Sequence, residues 1–288
     1  MSAVSTERQR QLAGPTLSNR VAKVMGSRRA AGLTAAATIL ILWQVITPLL
    51  ETRLVPMPVE VATFMWNEVR GETLARTTVW EAFGISLRRL LTGLSIAFAI
   101  GAPIGVAMGA SRKMDSFFKD FALVGLAMPS LVWALLVGMW FGLGEQGPIV
   151  VVVLAATPFV MMNAAEGVRD VPRELTQMAR SFGMPRSMVT RHVVVPSLMP
   201  FFFAALRYGL GNGWKGLVLA EIWASTTGAG WNIRYWYDAK RASGVVGYAL
   251  FFVLFALVVE RWAFERFSKR VFRWRPATDQ QVDEEPVA

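Results

Sequence analysis

Six apolar runs, at about residues 31–50, 90–110, 120–141, 148–165, 198–222 and 244–262, constrain this chain more than anything else in it. Crossing the hydrocarbon of a bilayer takes ~20 mostly apolar residues. A segment there must satisfy its own backbone hydrogen bonds, as a helix does. The predicted fold is therefore all-α, an integral membrane protein of six transmembrane helices. Hydrophobic residues make up 54% of the 288, and the mean hydropathy of +0.41 is high for a soluble domain. The fourth run is the shortest and the fifth the most interrupted.

Six spans put both termini on one side, and basic residues decide which side. With the termini inside, twenty Lys and Arg fall in the inner segments and eight in the outer ones, leaving Arg207 and Lys215 within the fifth run. The expected orientation is N-in and C-in. The chain divides into a basic cytoplasmic tail at 1–30, a membrane domain at 31–265 and a cytoplasmic tail at 266–288. The basic start is too long for a cleaved signal peptide. The net charge of +10 sits in short stretches beside apolar runs, which points to membrane topology and the lipid bilayer rather than to nucleic acid. After Pro56 and Pro58, the residues Val61, Phe64, Met65 and Val69 recur at helical spacing. They predict an amphipathic helix, lying on the outer membrane surface or packed on the protein.

The longest polar interruption of the C-terminal half is 166–196, and its stretch from Gln177 to Pro196 carries only basic charge: Arg180, Arg186 and Arg191. Gly183 and Pro185 divide it into two short helical pieces, since glycine suits a helix end and proline a first turn. A structured basic loop between two spans is a handle for a cytoplasmic partner.

The spacing there resembles the EAA loop of ABC importer permeases: E-A-A, three residues, G, nine residues, I-x-L-P. Gln177, Met178 and Ala179 stand at E-A-A, Gly183 at the glycine, Val193 at the isoleucine, Val195 at the leucine and Pro196 at the proline. Gln177 departs from the glutamate and Met178 from the first alanine; Glu174, one turn earlier, is the candidate replacement carboxylate. Leu54–Pro58, Trp140–Glu145 and Ala220-Glu221 resemble the nitrate/sulfonate/taurine branch. The resemblance implies a permease subunit in the bacterial inner membrane, importing a small solute, conceivably nitrate-, sulfonate- or taurine-like. It implies a homodimer, an ABC ATPase subunit and an extracytoplasmic solute-binding protein as partners. Glu174, Gln177, Ala179, Arg180, Gly183, Val193 and Pro196 would couple to the ATPase. The chain itself would bind no cofactor; ATP and Mg would belong to the ATPase. Related chains often read R-x-I-P-P-x-A-W-x-P where this one has Leu126 to Leu135. Leu126 in the arginine position shifts the expectation toward a less polar or cationic solute.

Charged groups at membrane depth are costly and face a cavity or a partner. Arg207, Asn212, Trp214, Lys215 and Glu221 in the fifth run are the candidates for a solute path, with Lys215 foremost. Inter-helix ion pairing is the competing role, and the matching family positions favour it for Arg207 and Glu221. Gly209, Gly211 and Gly213 make the middle of this run easy to bend. In the second run, Gly93, Ala97, Gly101, Gly105 and Gly109 form a small-residue stripe, predicted to pack against another helix.

Catalytic signals are missing. No phosphate-binding Gly-rich loop with its Lys-Ser/Thr is present, cysteine is absent, and the one histidine, His192, stands alone. The chain is expected not to be an enzyme. The alternative to an ATP-driven permease is a stand-alone secondary transporter or channel using an ion gradient, with Lys215 or Glu221 as its coupling group.

Overall fold

A computed structural model describes residues 17–49, 54–259 and 261, with side chains from residue 31 onward apart from Arg173. The predicted tail at 266–288 and the first sixteen residues of the predicted N-terminal tail lie outside the described residues. Regular structure among the described residues is entirely helical. Contacts divide the chain into two units, residues 1–63 and 64–288.

In the first unit, α1 runs unbroken over Leu17–Leu49 and so begins well before the predicted position 31. At 1.5 Å per residue it is about 50 Å long, more than the ~30 Å of bilayer hydrocarbon. Ile39, Ile41 and Val45 are exposed. Trp43 Nε1 donates to the Pro56 carbonyl at 3.1 Å, fastening the following turn to the helix end. Pro58 then opens α2, Pro58–Val69, at the first-turn position that needs no N–H.

The second unit holds α3 (Val79–Ala110), α4 (Arg112–Ala127), α5 (Ser130–Phe141), α6 (Gln146–Asp170), α7 (Arg173–Ser181) and α8 (Arg186–Val189). A π-helical turn at Thr190–Val194, α9 (Val195–Ala224), α10 (Ala229–Asp238) and α11 (Ala242–Val258) complete it. Thr78 caps α3, and Glu81 returns a bond to the cap N–H, so the helix starts eleven residues before the predicted 90. Arg88 and Arg89, expected in an outer loop, therefore lie inside a helix.

Four described helices are long and apolar enough to cross a membrane, or five if the bent pair of α4 and α5 is one span; α11 is a shorter apolar helix. That pair corrects the continuous run expected at 120–141: its axis turns by 98°. Pro129 lacks the N–H that a continuing helix needs, and it forces Met128 out of the helical region. Gly209, Gly211 and Gly213, read as making this run easy to bend, lie within an unbroken α9. Gly209 and Gly213 instead receive Ala156, Leu94 and Val152.

The small-residue stripe mates α3 to α6. A Cβ on Gly93 would come within 2.6 Å of Val152, and one on Gly105 would collide with the Met161 carbonyl oxygen. Backbones approach this closely only where one side carries no side chain. Trp214 of α9 is buried, stacked on Phe255 at 4.5 Å and beside Phe83 and Phe252. The later part of α2 packs on protein: Phe64 meets Trp236 edge-on at 5.1 Å. Glu68, fully buried, accepts from Tyr248 Oη at 2.8 Å. For these residues the protein-packed reading replaces the membrane-surface one.

Candidate functional site

Three arrangements have chemistry to offer. The first is α7. Its nine residues are flanked by Pro172 at the N-cap and Phe182 at the C-cap, and Gly183 follows with φ +72°. That left-handed conformation is cheap for glycine and costly for other residues. Gly183 N–H donates to the Arg180 carbonyl and Met184 N–H to that of Ala179, closing the turn. Pro185 then begins α8. Ala179 is buried and anchors α7 from one side. Glu174, Gln177 and Arg180 are exposed. So are Leu175, Met178 and Phe182, the last by 78%. Residues spaced three, four and seven apart share a helix face. The helix thus turns an apolar stripe, rimmed by polar groups, away from its own protein.

Both spans around this segment are tied to their neighbours. Arg169, at the end of α6, pairs with Asp115 in the first turn of α4. Gly167 of α6 lets Phe201 and Leu198 of α9 approach; a Cβ there would lie 2.9 Å from Phe201.

The second arrangement is one face of α9. Tyr208, Lys215 and Ile222 recur every seven residues, which keeps them within about 40° of one another around the axis. Tyr208 is 58% exposed, Lys215 is exposed, and nothing approaches Gly211 within 4 Å. Lys215 makes no ion pair among the described residues. Asn212, beside it, donates back to the Tyr208 carbonyl at 2.9 Å. Arg207 is exposed near the start of this stretch.

The third is a buried ion cluster. Arg89 Nη1 donates to Glu221 Oε1 and to the Thr227 carbonyl, both at 2.8 Å. Its Nη2 donates to Glu145 Oε1 at 2.7 Å and to Thr227 Oγ1 at 2.8 Å. Ser86 Oγ lies 2.7 Å from Glu221 Oε2 and accepts from Ala229 N–H at 2.9 Å. Gly230 N–H donates to Glu221 Oε2 at 2.9 Å. Gly228, at φ +106°, leaves no room for a Cβ against the Glu221 carboxylate, and Gly230 none against the Val218 carbonyl and the Glu221 Cβ. The loop from Ser225 to Gly230 is folded around that one side chain. Glu145 lies outside the spans, between α5 and α6, and also pairs with Arg88. Its hydrogen bond from Arg89, aided by the two positive charges, holds its carboxyl below the usual carboxylate range.

Residues 97–273 match the family described as the binding-protein-dependent transport system inner membrane component. The taurine transport system permease protein TauC of Escherichia coli is 31% identical over 70% of this chain and 74% of its own length. The chain belongs to this permease family. A putative aliphatic sulfonates transport permease protein, SsuC of Bacillus subtilis, is 28% identical, covering 85% of this chain and 87% of its own. The nitrate import permease protein NrtB of Synechocystis is 24% identical, covering 79% and 84%. A chain from the inward-facing structures of the MetNI methionine ABC transporter superposes with a TM-score of 0.57. It is 20% identical over 73% of this chain and 98% of that one, and so speaks for the fold.

In the permease, the candidate residues separate. Glu174, Gln177, Ala179, Arg180 and Gly183 lie together in α7 and its closing turn. Val193 falls in the π-helical turn and Pro196 in the first turn of α9, so the predicted loop at 166–196 is almost wholly helical. Trp214 and Glu221 lie apart from the exposed candidates. Both are buried on the packed side of α9, the first in an aromatic cluster and the second in the ion cluster. Sequence reasoning missed Arg89 and Ser86 as Glu221's partners, because they lie more than 130 positions away, and with them Glu145, which shares Arg89. It also passed over the Leu175, Met178 and Phe182 stripe, although the spacing was there to find.

Proposed function

We propose that this permease forms the membrane path of an importer powered by a separate ABC ATPase, with α7 as the element that docks on it. The observation that carries the reading is α7 itself: a short helix between two packed spans, showing Leu175, Met178 and Phe182 to the outside. An exposed apolar stripe rimmed by polar groups marks an interaction surface. ATP and Mg are bound and used by that partner. Motion of α7 would reach α6 through the two-residue link at Val171–Pro172, and α9 through α8.

The six-span, N-in and C-in arrangement fits this role. Counting α4 with α5 as one crossing is supported by the ion pairs at its two ends. Asp115 pairs with the end of α6, while Glu145 pairs with the early part of α3. With α1, α3, α6, α8–α9 and α11 this makes six, and α7 then lies on the cytoplasmic side of the bacterial inner membrane. The unpartnered α9 face would meet a second copy, so that two copies line the path, and a solute-binding protein would deliver at the outer end. In an ion-gradient transporter Glu221, locked among Arg89, Ser86 and Gly230, is not available as a mobile coupling group, which leaves Lys215 alone for that role.

The solute is proposed to be a small anion, as the names of the taurine, sulfonate and nitrate relatives suggest, in place of the less polar or cationic solute expected from Leu126. Lys215 supplies a cation on the exposed face, in place of the arginine missing at Leu126. The test is Phe182→Asp and Met178→Asp, both at exposed positions. Each should leave insertion and thermal unfolding unchanged while the ATPase no longer co-purifies. Full co-purification and uptake by both variants would reject α7 as the docking element.

A further inference from the structure

At the end of the α9 face that carries Tyr208 and Lys215, the helix meets α10 in a groove of about 320 Å³ lined by Ile222, Trp223, Ile233, Arg234, Tyr237 and Asp238. Ile222 continues the seven-residue row and lies about 10 Å along the axis from Lys215, at 1.5 Å per residue. The walls are hydrocarbon and ring. Trp223 is 48% and Tyr237 63% exposed, so each keeps open ring surface besides the part that a neighbouring cation overlies.

The polar edge of the groove is rich in donors. The Arg234 guanidinium lies 5.4 Å from the Trp223 ring centroid. Its Nη1 donates to the Ile222 carbonyl at 3.1 Å, and its Nε is 3.5 Å from Asp238. Arg234 Nη2, Trp223 Nε1 and Tyr237 Oη make no hydrogen bond among the described residues. Beyond Tyr237, Lys240 Nζ sits 5.0 Å over the tyrosine ring, and Arg241 lies over Trp236. Neither is paired with a carboxylate. Lys240 holds φ +56°, a left-handed position at a helix end that glycine usually fills, so it sits there at some backbone cost, with its ammonium over a ring that lines the groove.

We propose that this groove is the reception site for the solute, and that it selects an organic anion. The solute's apolar body lies against Trp223, Ile233 and Tyr237, and its anionic head meets Arg234 and the Lys240 rim. The size suits a molecule at the small end of the usual ligand range. A bare inorganic anion gains nothing from the apolar walls, so the groove sorts organic anions from ions such as nitrate before they reach Lys215. The proposal rests on the reading of the α9 face as the path.

The experiment uses the full permease in lipid nanodiscs, without its binding protein. Benzenesulfonate is the probe, followed by saturation-transfer NMR. Wild-type protein should transfer saturation to the probe's ring, and excess sodium nitrate should leave most of the signal. Trp223→Ala, Arg234→Gln and Tyr237→Leu should each weaken probe binding at least fivefold, while Gly84→Ala, a site with nothing within 4 Å, binds it as wild type does. Tyr237→Leu removes no hydrogen bond and guards against misfolding as the cause. Equal binding by all three groove variants, full displacement by nitrate, or signal present in detergent and absent in nanodiscs would each overturn the proposal. The last outcome would mean that lipid occupies the groove. Loss of uptake in Lys215→Ala with normal uptake in the groove variants would overturn this inference and leave the path reading standing.

Discussion

Arg89 and Glu221, 132 positions apart, meet at 2.8 Å with 1% and 0% of their side chains exposed. Burying two charges is costly, and their mutual attraction repays this only when the remaining donors and acceptors are also met. Thr227, Ser86, Gly230 and Glu145 meet nearly all of them; Arg89 Nε is the exception. Removing one partner strands the other. Glu221→Ala should therefore destabilise the protein by about 3–5 kcal/mol. Arg89→Met with Glu221→Leu should recover most of that loss. Thermal unfolding in a single detergent checks both, and a double variant no better than the single one would show that the loop around Glu221, and not the ion pair, dominates.

Glu145 gives the same cluster a pH dependence. Its folded pKa lies below the unfolded value, so its contribution is present above the ordinary carboxylate range and disappears as pH falls through the folded pKa. Wild-type stability should thus decline faster on acidification than that of Glu145→Gln, and the two curves should converge at low pH. Because Glu145 is half exposed, the difference should be small and should shrink further in high salt. Unfolding midpoints measured across that range would reveal it.

Gly105→Val would drive a side chain into the Met161 carbonyl and Ala164. Overpacking of this kind costs roughly 1–3 kcal/mol. Gly84, on the same helix but with nothing nearby, should accept alanine with no loss. A matched pair of unfolding measurements decides between a local clash and a general dislike of larger residues in α3.

At Gly183, φ +72° makes valine costly by roughly 1 kcal/mol or more. The mechanical effect should exceed the energetic one, since α7 would leave the turn at a different angle. The expected result is normal insertion with loss of substrate-stimulated ATP hydrolysis in the assembled complex. Arg180→Glu, which reverses an exposed charge beside the apolar stripe, should act in the same direction. Unchanged hydrolysis in both would remove α7 from the coupling scheme.

Much of this could be read from local pattern. The glycine stripe at four-residue spacing announced a helix contact, and Gly183 with Pro185 announced two short helices, because each depends on neighbours within a turn or two. The 98° corner was less legible. Pro129 marked it, but nothing local says whether a proline bends a helix slightly or divides it. Arg89 was misjudged for a different reason. A charge beside an apolar run looks like a loop residue until its carboxylate, more than a hundred positions later, is known to wait inside. Lys215 and Glu221, six residues apart, were separable in the sequence as path candidate and ion-pairing candidate, and the helix turns the first outward and buries the second.

The π-helical turn at Thr190–Val194 has a consequence of phase. It takes up one residue more than an α-turn would, and each residue advances a helix by about 100°. The direction in which α8 leaves toward α7 is therefore offset from the direction in which Lys215 points. Taking one residue out of that turn would restore plain α-geometry and rotate one end against the other by roughly a quarter turn, with no side chain in either surface altered. The exposed stripe of α7 and the Lys215 face of α9 are held in register by a single surplus residue.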